Sequence, residues 1–204
     1  MNYLVTSLIL LSSLRATTAQ NSEQVATLAS QYTLTTSTSL PFPSATLSSS
    51  DTQAFLLENW GLSRGRIQNG ADNLMFVADP FPSVPSSSTP SSAGPVLEVT
   101  YPEGSYSHDT GGAQFFATWN MSGDAFQSAI LTYDVAFDSN FDWVKGGKLP
   151  GLRGGPNATG CSGGHQPNGS DCFSARLMWR ARASGEGKSY ILFVRRAEIT
   201  ILPF

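Results

Sequence analysis

The sequence predicts an all-β protein, a jelly-roll β-sandwich, from two observations. Apolar residues alternate with period two in several short runs, and 19 glycines and 12 prolines are distributed along the chain. Period two is typical of half-buried strands, and glycine and proline supply the turns that connect them. Hydrophobic residues make up 40% of the 204 residues, which is enough for one domain with a core.

The predicted elements follow from these runs. Thr52–Trp60 is predicted as a short helix with Asp51 as its N-cap. Residues 80–95, rich in Pro and Ser, are predicted to be a loop within the domain. The predicted strands are Asn73–Val77, Val96–Tyr101, Ala113–Trp119, Ala129–Phe137, Phe141–Lys145, Phe173–Arg180 and Ser189–Val194.

The N-terminal residues have the pattern of a secretory signal. Residues 2–14 are an apolar run too short to span a bilayer, and small residues precede Gln20. We therefore predict a signal peptide at residues 1–19, cleavage after Ala19, and a secreted protein with no membrane contact after cleavage. Residues 20–50 are rich in Ser and Thr and are predicted to be a low-complexity segment with few contacts to a domain at residues 51–204.

Charge and cysteine content narrow the function classes. Twelve basic against fifteen acidic residues give a net charge of −3, so nucleic-acid binding is not expected as the main role. Cys161 and Cys172 lie close in sequence, and export favours a disulfide between them. The alternatives are a reduced pair or half a metal site. Zinc is not expected, because there is no Cys-x-x-Cys and His165 is the one histidine nearby, and no cofactor is implied.

Three sequons predict N-glycosylation if the chain passes through a glycosylating compartment. They are Asn120-Met-Ser, Asn157-Ala-Thr and Asn168-Gly-Ser. Sequons also arise by chance, so these support export without establishing it.

Basic residues concentrate between Phe141 and Arg180. The segment FDWVKGGKLPGLRGG is interpreted as an aromatic strand followed by a glycine-rich turn that carries Lys145, Lys148 and Arg153. The segment FSARLMWR alternates with period two, so that Ser174, Arg176 and Arg180 share one face of a strand and the apolar residues share the other. A solvated, ion-paired face is the plainer reading of such arginines, and a polyanion-binding cleft is the functional one.

The segments KGGKLPGLRGG and CFSARLMWR resemble the fungal secreted proteins of polysaccharide lyase family 14, whose relatives include alginate and glucuronan lyases. The resemblance runs from near Asp51 to about Tyr190 and implies four catalytic residues, Lys148, Ser174, Arg176 and Tyr190. The family has a second tyrosine two positions after the first, where this chain has Leu192. Proteins of the family also continue for several more strands, so the resemblance implies a C-terminally truncated or decayed domain.

The chemistry of eliminative cleavage fits these residue types. The uronate carboxylate must be neutralised, the C5 proton removed and the C4 oxygen protonated. Arg176 suits the first task because its two-donor fork matches a carboxylate. Further substrate-binding candidates are Lys145, Arg180, His108 and Gln114. A histidine beside Asp109 is more often structural, and a Ser174–His108–Asp109 triad lacks the usual G-x-S-x-G elbow.

Three function classes therefore remain. The first is a secreted, metal-independent lyase of an acidic polysaccharide, expected to be a monomer. The second is a non-catalytic binding protein for the same polymers on the same scaffold. The third is a glycoside hydrolase, for which Asp134, Asp138 and Asp142 are candidate carboxylates without an accompanying motif.

Overall fold

The structure is a computed structural model of the chain. It describes residues 4–9, 17–80, 94–106, 110–118, 128–138, 140–143, 145–157, 160–161, 165 and 167–190. The chain divides into two compact units, one formed by residues 1–125 and 132–141 and the other by residues 126–131 and 142–204. Neither helix within the described ranges combines the length and the apolar composition needed to cross a bilayer.

Each unit has its own antiparallel sheet. In the first unit the strand order is β2-β3-β1-β4, and in the second it is β5-β6-β7. The β-rich class is thus confirmed, whereas the jelly-roll sandwich stays a prediction. The elements are β1 (Leu4–Ile9), α1 (Thr17–Gln31), α2 (Ser49–Asn59), β2 (Leu74–Val77), β3 (Val96–Tyr101), β4 (Asp134–Phe137), β5 (Gly147–Gly154), β6 (Phe173–Trp179) and β7 (Gly185–Tyr190).

Helix α2 begins earlier than predicted, because Ser48 and not Asp51 is its N-cap. The Ser48 hydroxyl accepts a hydrogen bond from the backbone N–H of Asp51 at 3.2 Å and donates one to Asp51 Oδ2 at 2.7 Å. Asp51 lies in the first turn, where a carboxylate also interacts favourably with the helix dipole. The prediction of a helix here is confirmed, and its start is corrected by three residues.

The first unit has a hydrophobic core built from α2, the chain that follows it and strands β2 and β3. Trp60 lies in this core, and its indole N–H donates to Pro41 O at 2.7 Å, which satisfies the one polar group of the ring. Aromatic rings surround it, including Phe42 and Phe115. The buried members of the cluster are Leu56, Trp60, Leu62, Leu74, Phe76 and Leu97.

The outer edge of β2 is covered by the chain that leads into α2. Leu47 pairs with Phe76, and Leu47 N donates to Phe76 O at 2.8 Å. The backbone N–H of Phe76 donates to the hydroxyl of Thr52, which is fully buried, and that hydroxyl in turn donates to Leu47 O. These bonds satisfy polar groups that an edge strand would otherwise leave unpaired.

Residues 20–50 were predicted to be a low-complexity segment with few contacts, and the structure corrects this. Residues 17–31 form α1, whose alanines, glutamines and leucine have good helix propensity. Leu40, Phe42 and Leu47 pack against the core of the first unit. The abundance of Ser and Thr concealed a few well-placed apolar side chains, and these anchor the segment.

Strand β1 lies inside the predicted signal peptide. It pairs with β3 on one side and with β4 on the other. The predicted cleavage position, after Ala19, falls within α1. Signal cleavage stays a prediction, and it would remove the strand that joins β3 to β4.

Several strand predictions also need correction. Residues 113–118 form isolated bridges at Gln114 and Ala117 instead of a continuous strand, and Trp119 lies outside the described residues. Residues 141–143 form no strand; Phe141 N bonds back to Asp138 O, and the Phe141 ring packs edge-on against Phe137. The last strand of the second unit begins at Gly185, not Ser189, and residues 191–194 are not described.

The glycine-rich segment that was predicted to be a turn is strand β5. Its glycines lie opposite large side chains of β6: Gly147 pairs with Trp179 and Gly154 with Phe173. A Cβ at Gly147 would lie 1.9 Å from Trp179 Cζ2, and one at Gly154 would lie 2.5 Å from Phe173 Cε1. The rings therefore cover backbone that has no side chain of its own, which is how glycine is accommodated in this strand.

Candidate functional site

The pairing of β5, β6 and β7 brings the predicted catalytic residues to one face of the second unit's sheet. Ser174 is opposite Tyr190 in β7 and opposite Arg153 in β5. Lys148 is opposite Met178, two residues along β6 from Arg176. Directly paired residues occupy the same face of a sheet. We call this the Arg176 face, defined by the register positions Lys148, Arg153, Ser174, Arg176, Met178, Lys188 and Tyr190.

Lys148 lies in β5 and not in a turn, and a β-bulge follows it. The register shifts between Lys148 and Gly151, so that two residues, Leu149 and Pro150, stand opposite Leu177. Proline has no N–H for the ladder and is accommodated at such irregularities. The bulge lets Lys148 remain on the Arg176 face although an odd number of residues separates it from Arg153. The Lys148 side chain is exposed to solvent.

Arg176 occupies the middle of this face and is half-buried. Its Nε is buried, and no hydrogen-bond partner for it exists in the described part of the chain. Across β5 its partner is Gly151, where a Cβ would lie 2.5 Å from Arg176 Cβ. The guanidinium thus has hydrogen-bonding capacity left for an anionic ligand.

Cys161 and Cys172 form a disulfide with a Cα–Cα distance of 5.8 Å, which confirms that prediction. The loop it closes is held at one end of the Arg176 face by two cross-strand partners. The Ser174 hydroxyl donates to Cys161 O at 2.7 Å, and Arg153 Nη2 donates to Gly160 O at 2.6 Å. Ser174 is only 5% exposed. Its hydroxyl proton is therefore engaged in fixing the loop.

A second polar cluster supports the same loop. Asn157 Nδ2 donates to Asp171 Oδ2 at 2.9 Å, and Asn157 Oδ1 accepts from Gly160 N at 2.8 Å. Arg153 Nη2 also donates to Asn157 O, at 3.3 Å. Because these bonds connect both sides of the disulfide, the start and the end of the loop are fixed to each other independently of the sulfur atoms.

Lys145 and Arg180 lie at the opposite end of the sheet from the disulfide. Lys145 is exposed just before β5, and Arg180 follows the last residue of β6. A Cβ at Gly146 would lie 3.2 Å from Arg180 Nη1, so the Arg180 side chain crosses the backbone beside Lys145. Both predicted substrate-binding cations of the second unit are thus adjacent to the end of the sheet where Lys148 is located.

The remaining predicted residues are not brought into this cluster. Gln114 belongs to the first unit, where its Nε2 donates to Gln68 Oε1 at 2.9 Å and its backbone pairs with Asn69. His108 and Asn120 lie outside the described residues. Asn168 is exposed near the disulfide, and its Oδ1 accepts a hydrogen bond from Ser170 N. No group of three or more potential metal ligands occurs among the described side chains.

Sequence reasoning missed one basic residue of the Arg176 face. Lys188 is the direct partner of Arg176 in β7, and the segment around it had been interpreted as a connection between strands. A signal was present, because Glu186, Lys188 and Tyr190 alternate with small residues at period two. Three glycine and serine residues in this run obscured the strand pattern.

Comparison with known proteins decides the family. The model of the family described as Polysaccharide lyase 14 matches residues 89–200, which is more than half of the 204-residue chain. The chain belongs to the polysaccharide lyase 14 family. The match includes β3 to β7 and therefore every strand of the Arg176 face. No curated protein and no solved structure gives a significant match.

Membership of the polysaccharide lyase 14 family agrees with the residues found on the Arg176 face. A lyase of acidic polymers needs a cation for the carboxylate and groups that transfer protons, and arginine, lysine and tyrosine supply these functions. In the middle of the face, Arg176 has unused hydrogen-bonding capacity, whereas the hydroxyl of Ser174 is engaged with the disulfide loop.

Proposed function

We propose that this member of the polysaccharide lyase 14 family is a secreted enzyme that cleaves a uronic-acid polymer, of the alginate or glucuronan type, by β-elimination. One observation carries the proposal. The strand register places Lys148, Arg176 and Tyr190 on one face of a three-stranded sheet, around an arginine whose buried Nε has no partner among the described residues.

The proposed reaction assigns a task to each residue. Arg176 binds the carboxylate of the sugar whose C5 carries the acidic proton, and neutralising that charge makes the proton more acidic. Tyr190 and Lys148 exchange protons with the substrate: one takes the C5 proton, and the other gives a proton to the C4 oxygen as the C4–O bond breaks. The electron pair of the C5–H bond becomes the new C4–C5 double bond.

Ser174 stays a proposed site residue, and its hydrogen bond supports a role in holding the disulfide loop beside the site. Oγ donates to Cys161 O, and its lone pairs can still accept a hydrogen bond. Lys145 and Arg180 are proposed to bind carboxylates of neighbouring sugars, because both lie beyond the end of β5 and β6 nearest Lys148.

The test is an assay for the unsaturated uronate product by its ultraviolet absorbance, with alginate and glucuronan as separate substrates. We expect the parent to form the product and Arg176→Ala to lose most activity. Arg176→Lys should recover little, because an ammonium cannot make the bidentate contact. Tyr190→Phe should lower kcat with little change in polymer binding. Arg66→Ala, at an exposed position of the first unit, is the control.

A second candidate function is a polyuronate-binding protein without catalytic activity. It is favoured by Leu192, which stands where the family has its second tyrosine. The same assay separates the two proposals. A parent that binds polyuronate and never forms the unsaturated product would establish the binding protein and exclude the lyase.

A further inference from the structure

Strand β7 places two cations directly opposite each other on the Arg176 face. Lys188 is the register partner of Arg176. Residues paired in this way have Cβ atoms about 4.5–5.5 Å apart, and like charges at such positions are destabilising. A pair of this kind therefore calls for a compensating negative charge.

The register positions around the pair supply little negative charge. On the β5 side, the partner of Arg176 is a glycine, and the neighbouring positions of that face are Lys148 and Arg153. Along β6, Ser174 and Met178 flank Arg176 and carry no charge. Among the paired positions of β5, β6 and β7 on this face, the acidic one is Glu186, whose direct partner is Met178.

Two features favour a ligand as the source of the missing charge. Arg176 is half-buried, so its interactions are screened by salt less than those of an exposed side chain. Its buried Nε has no hydrogen-bond partner in the part of the chain that the structure describes. A carboxylate has two oxygens and can accept hydrogen bonds from a guanidinium and an ammonium at the same time.

We propose that Arg176 and Lys188 together form a two-cation site for one carboxylate of the substrate, and that Lys188 is a further substrate-binding residue. The inference rests on the proposed function for the class of ligand, a uronate polymer. It makes Lys188 a determinant of specificity, because a neutral sugar or an esterified uronate gives the two cations no countercharge.

The test measures binding and does not depend on cleavage. Calorimetric titration with a glucuronate oligosaccharide, at several salt concentrations, is compared for the parent, Lys188→Met and Lys188→Arg, with Arg66→Met as the control. We expect Lys188→Met to weaken binding about tenfold and to flatten its salt dependence. Lys188→Arg should retain most of the affinity, and Arg66→Met should match the parent.

Thermal unfolding of the same proteins distinguishes a ligand site from an internal ion pair. If Lys188 is held apart from its countercharge until substrate binds, Lys188→Met without ligand unfolds at a temperature no lower than the parent, and the oligosaccharide raises that temperature less than in the parent. A lower unfolding temperature without ligand would assign Lys188 to an ion pair with Glu186 and overturn the proposal.

The outcomes also separate this inference from the proposed activity. A parent that binds the oligosaccharide but forms no unsaturated product would refute the lyase and leave the two-cation site standing if Lys188→Met binds more weakly. A parent that cleaves polyuronate while Lys188→Met binds and cleaves equally well would refute the two-cation site and leave the lyase standing.

Discussion

At the scale of single residues, two asparagines near the disulfide differ in what their side-chain amides bind. Asn157 Nδ2, the atom to which a glycan would be attached, donates to Asp171 Oδ2, and the residue is half-buried. Asn168 is exposed, and it is Oδ1 of its amide that accepts hydrogen bonds, from Ser170 and Asp171. Attaching a sugar to Asn157 would disturb the polar cluster that fixes the loop, whereas Asn168 offers its nitrogen to solvent.

We therefore expect glycan at Asn168 and little or none at Asn157 when the protein is made in a eukaryotic secretory host. Peptide mapping by mass spectrometry, with and without enzymatic removal of N-glycans, measures both sites. Asn168→Gln is the matched variant and should abolish glycan on that peptide. Substantial occupancy of Asn157 would show that the Asn157–Asp171 hydrogen bond does not protect the amide.

Tyr101 is a single residue through which stability depends on pH. Burial raises its pKa to about 12, and the turn at Gly111 and Gly112 packs against its ring. Unfolded tyrosine ionises near pH 10. Because the fold favours the neutral phenol, this contribution to stability is present below about pH 10 and is lost as the pH rises to about 12, at up to about 1.4 kcal/mol per pH unit.

The measurement is urea unfolding between about pH 8 and pH 11. Tyr101→Phe should lose stability less steeply above pH 10 than the parent does. Tyr106→Phe is the control, because Tyr106 is 66% exposed. Burial also raises the pKa of Tyr133, so that residue adds a loss of the same sign in every variant. Parallel curves for the parent and Tyr101→Phe would contradict the assignment.

At the scale of elements, strand β5 depends on glycines that face the large side chains of β6. Trp179 is buried and lies across Gly147, and the Phe173 ring lies across Gly154. This packing holds β5 against β6 although β5 has few side chains of its own. It also determines the position of Lys148, which is the residue next to Gly147.

Gly147→Ala should destabilise the second unit by about 1–3 kcal/mol, the cost of inserting a methyl group into a packed site. The new Cβ would lie 1.9 Å from Trp179 Cζ2, so either the ring or the strand must move. Gly185→Ala is the matched control in the same sheet, since its Cβ would meet nothing closer than Met178 O at 4.0 Å. Equal unfolding midpoints in urea for the two variants would refute the packing argument.

At the scale of the whole molecule, the order of the first unit extends well before the start of α2. Phe42 packs with its ring centroid 5.7 Å from that of Trp60 and 5.6 Å from that of Phe76. Leu40 and Leu47 contact the same core. The segment before Asp51 is therefore part of the folded unit, and a chain trimmed to Asp51 would also lose the N-cap of α2.

Phe42→Ala should destabilise the protein by about 2–4 kcal/mol, because it removes a ring from contact with two core aromatics. Leu57→Ala provides the comparison, as Leu57 is 40% exposed on α2. Chemical unfolding of both variants measures the difference. A loss no larger for Phe42→Ala than for Leu57→Ala would restore the view that residues 20–50 are peripheral.

How far prediction succeeded can be traced to particular patterns. Strand β3 and most of β6 were predicted within one residue, because their apolar residues alternate without interruption. Strand β5 was missed, because its glycines have no side chains to show a period, and the rings that stabilise it lie on another strand. Of the Arg176 face, Arg176 and Ser174 were predicted to share a side, but Lys188 was not recognised.

The sequence by itself determined the β-rich class, the disulfide between Cys161 and Cys172, and the family, since these follow from local patterns, residue identity and motif. Tertiary structure decided the strand register, and with it which charges lie opposite each other. It also decided that the Ser174 hydroxyl binds the disulfide loop and that the chain near Phe42 is part of a core. The physical reason is that pairing and burial depend on residues distant in sequence, and no local pattern specifies which of them meet.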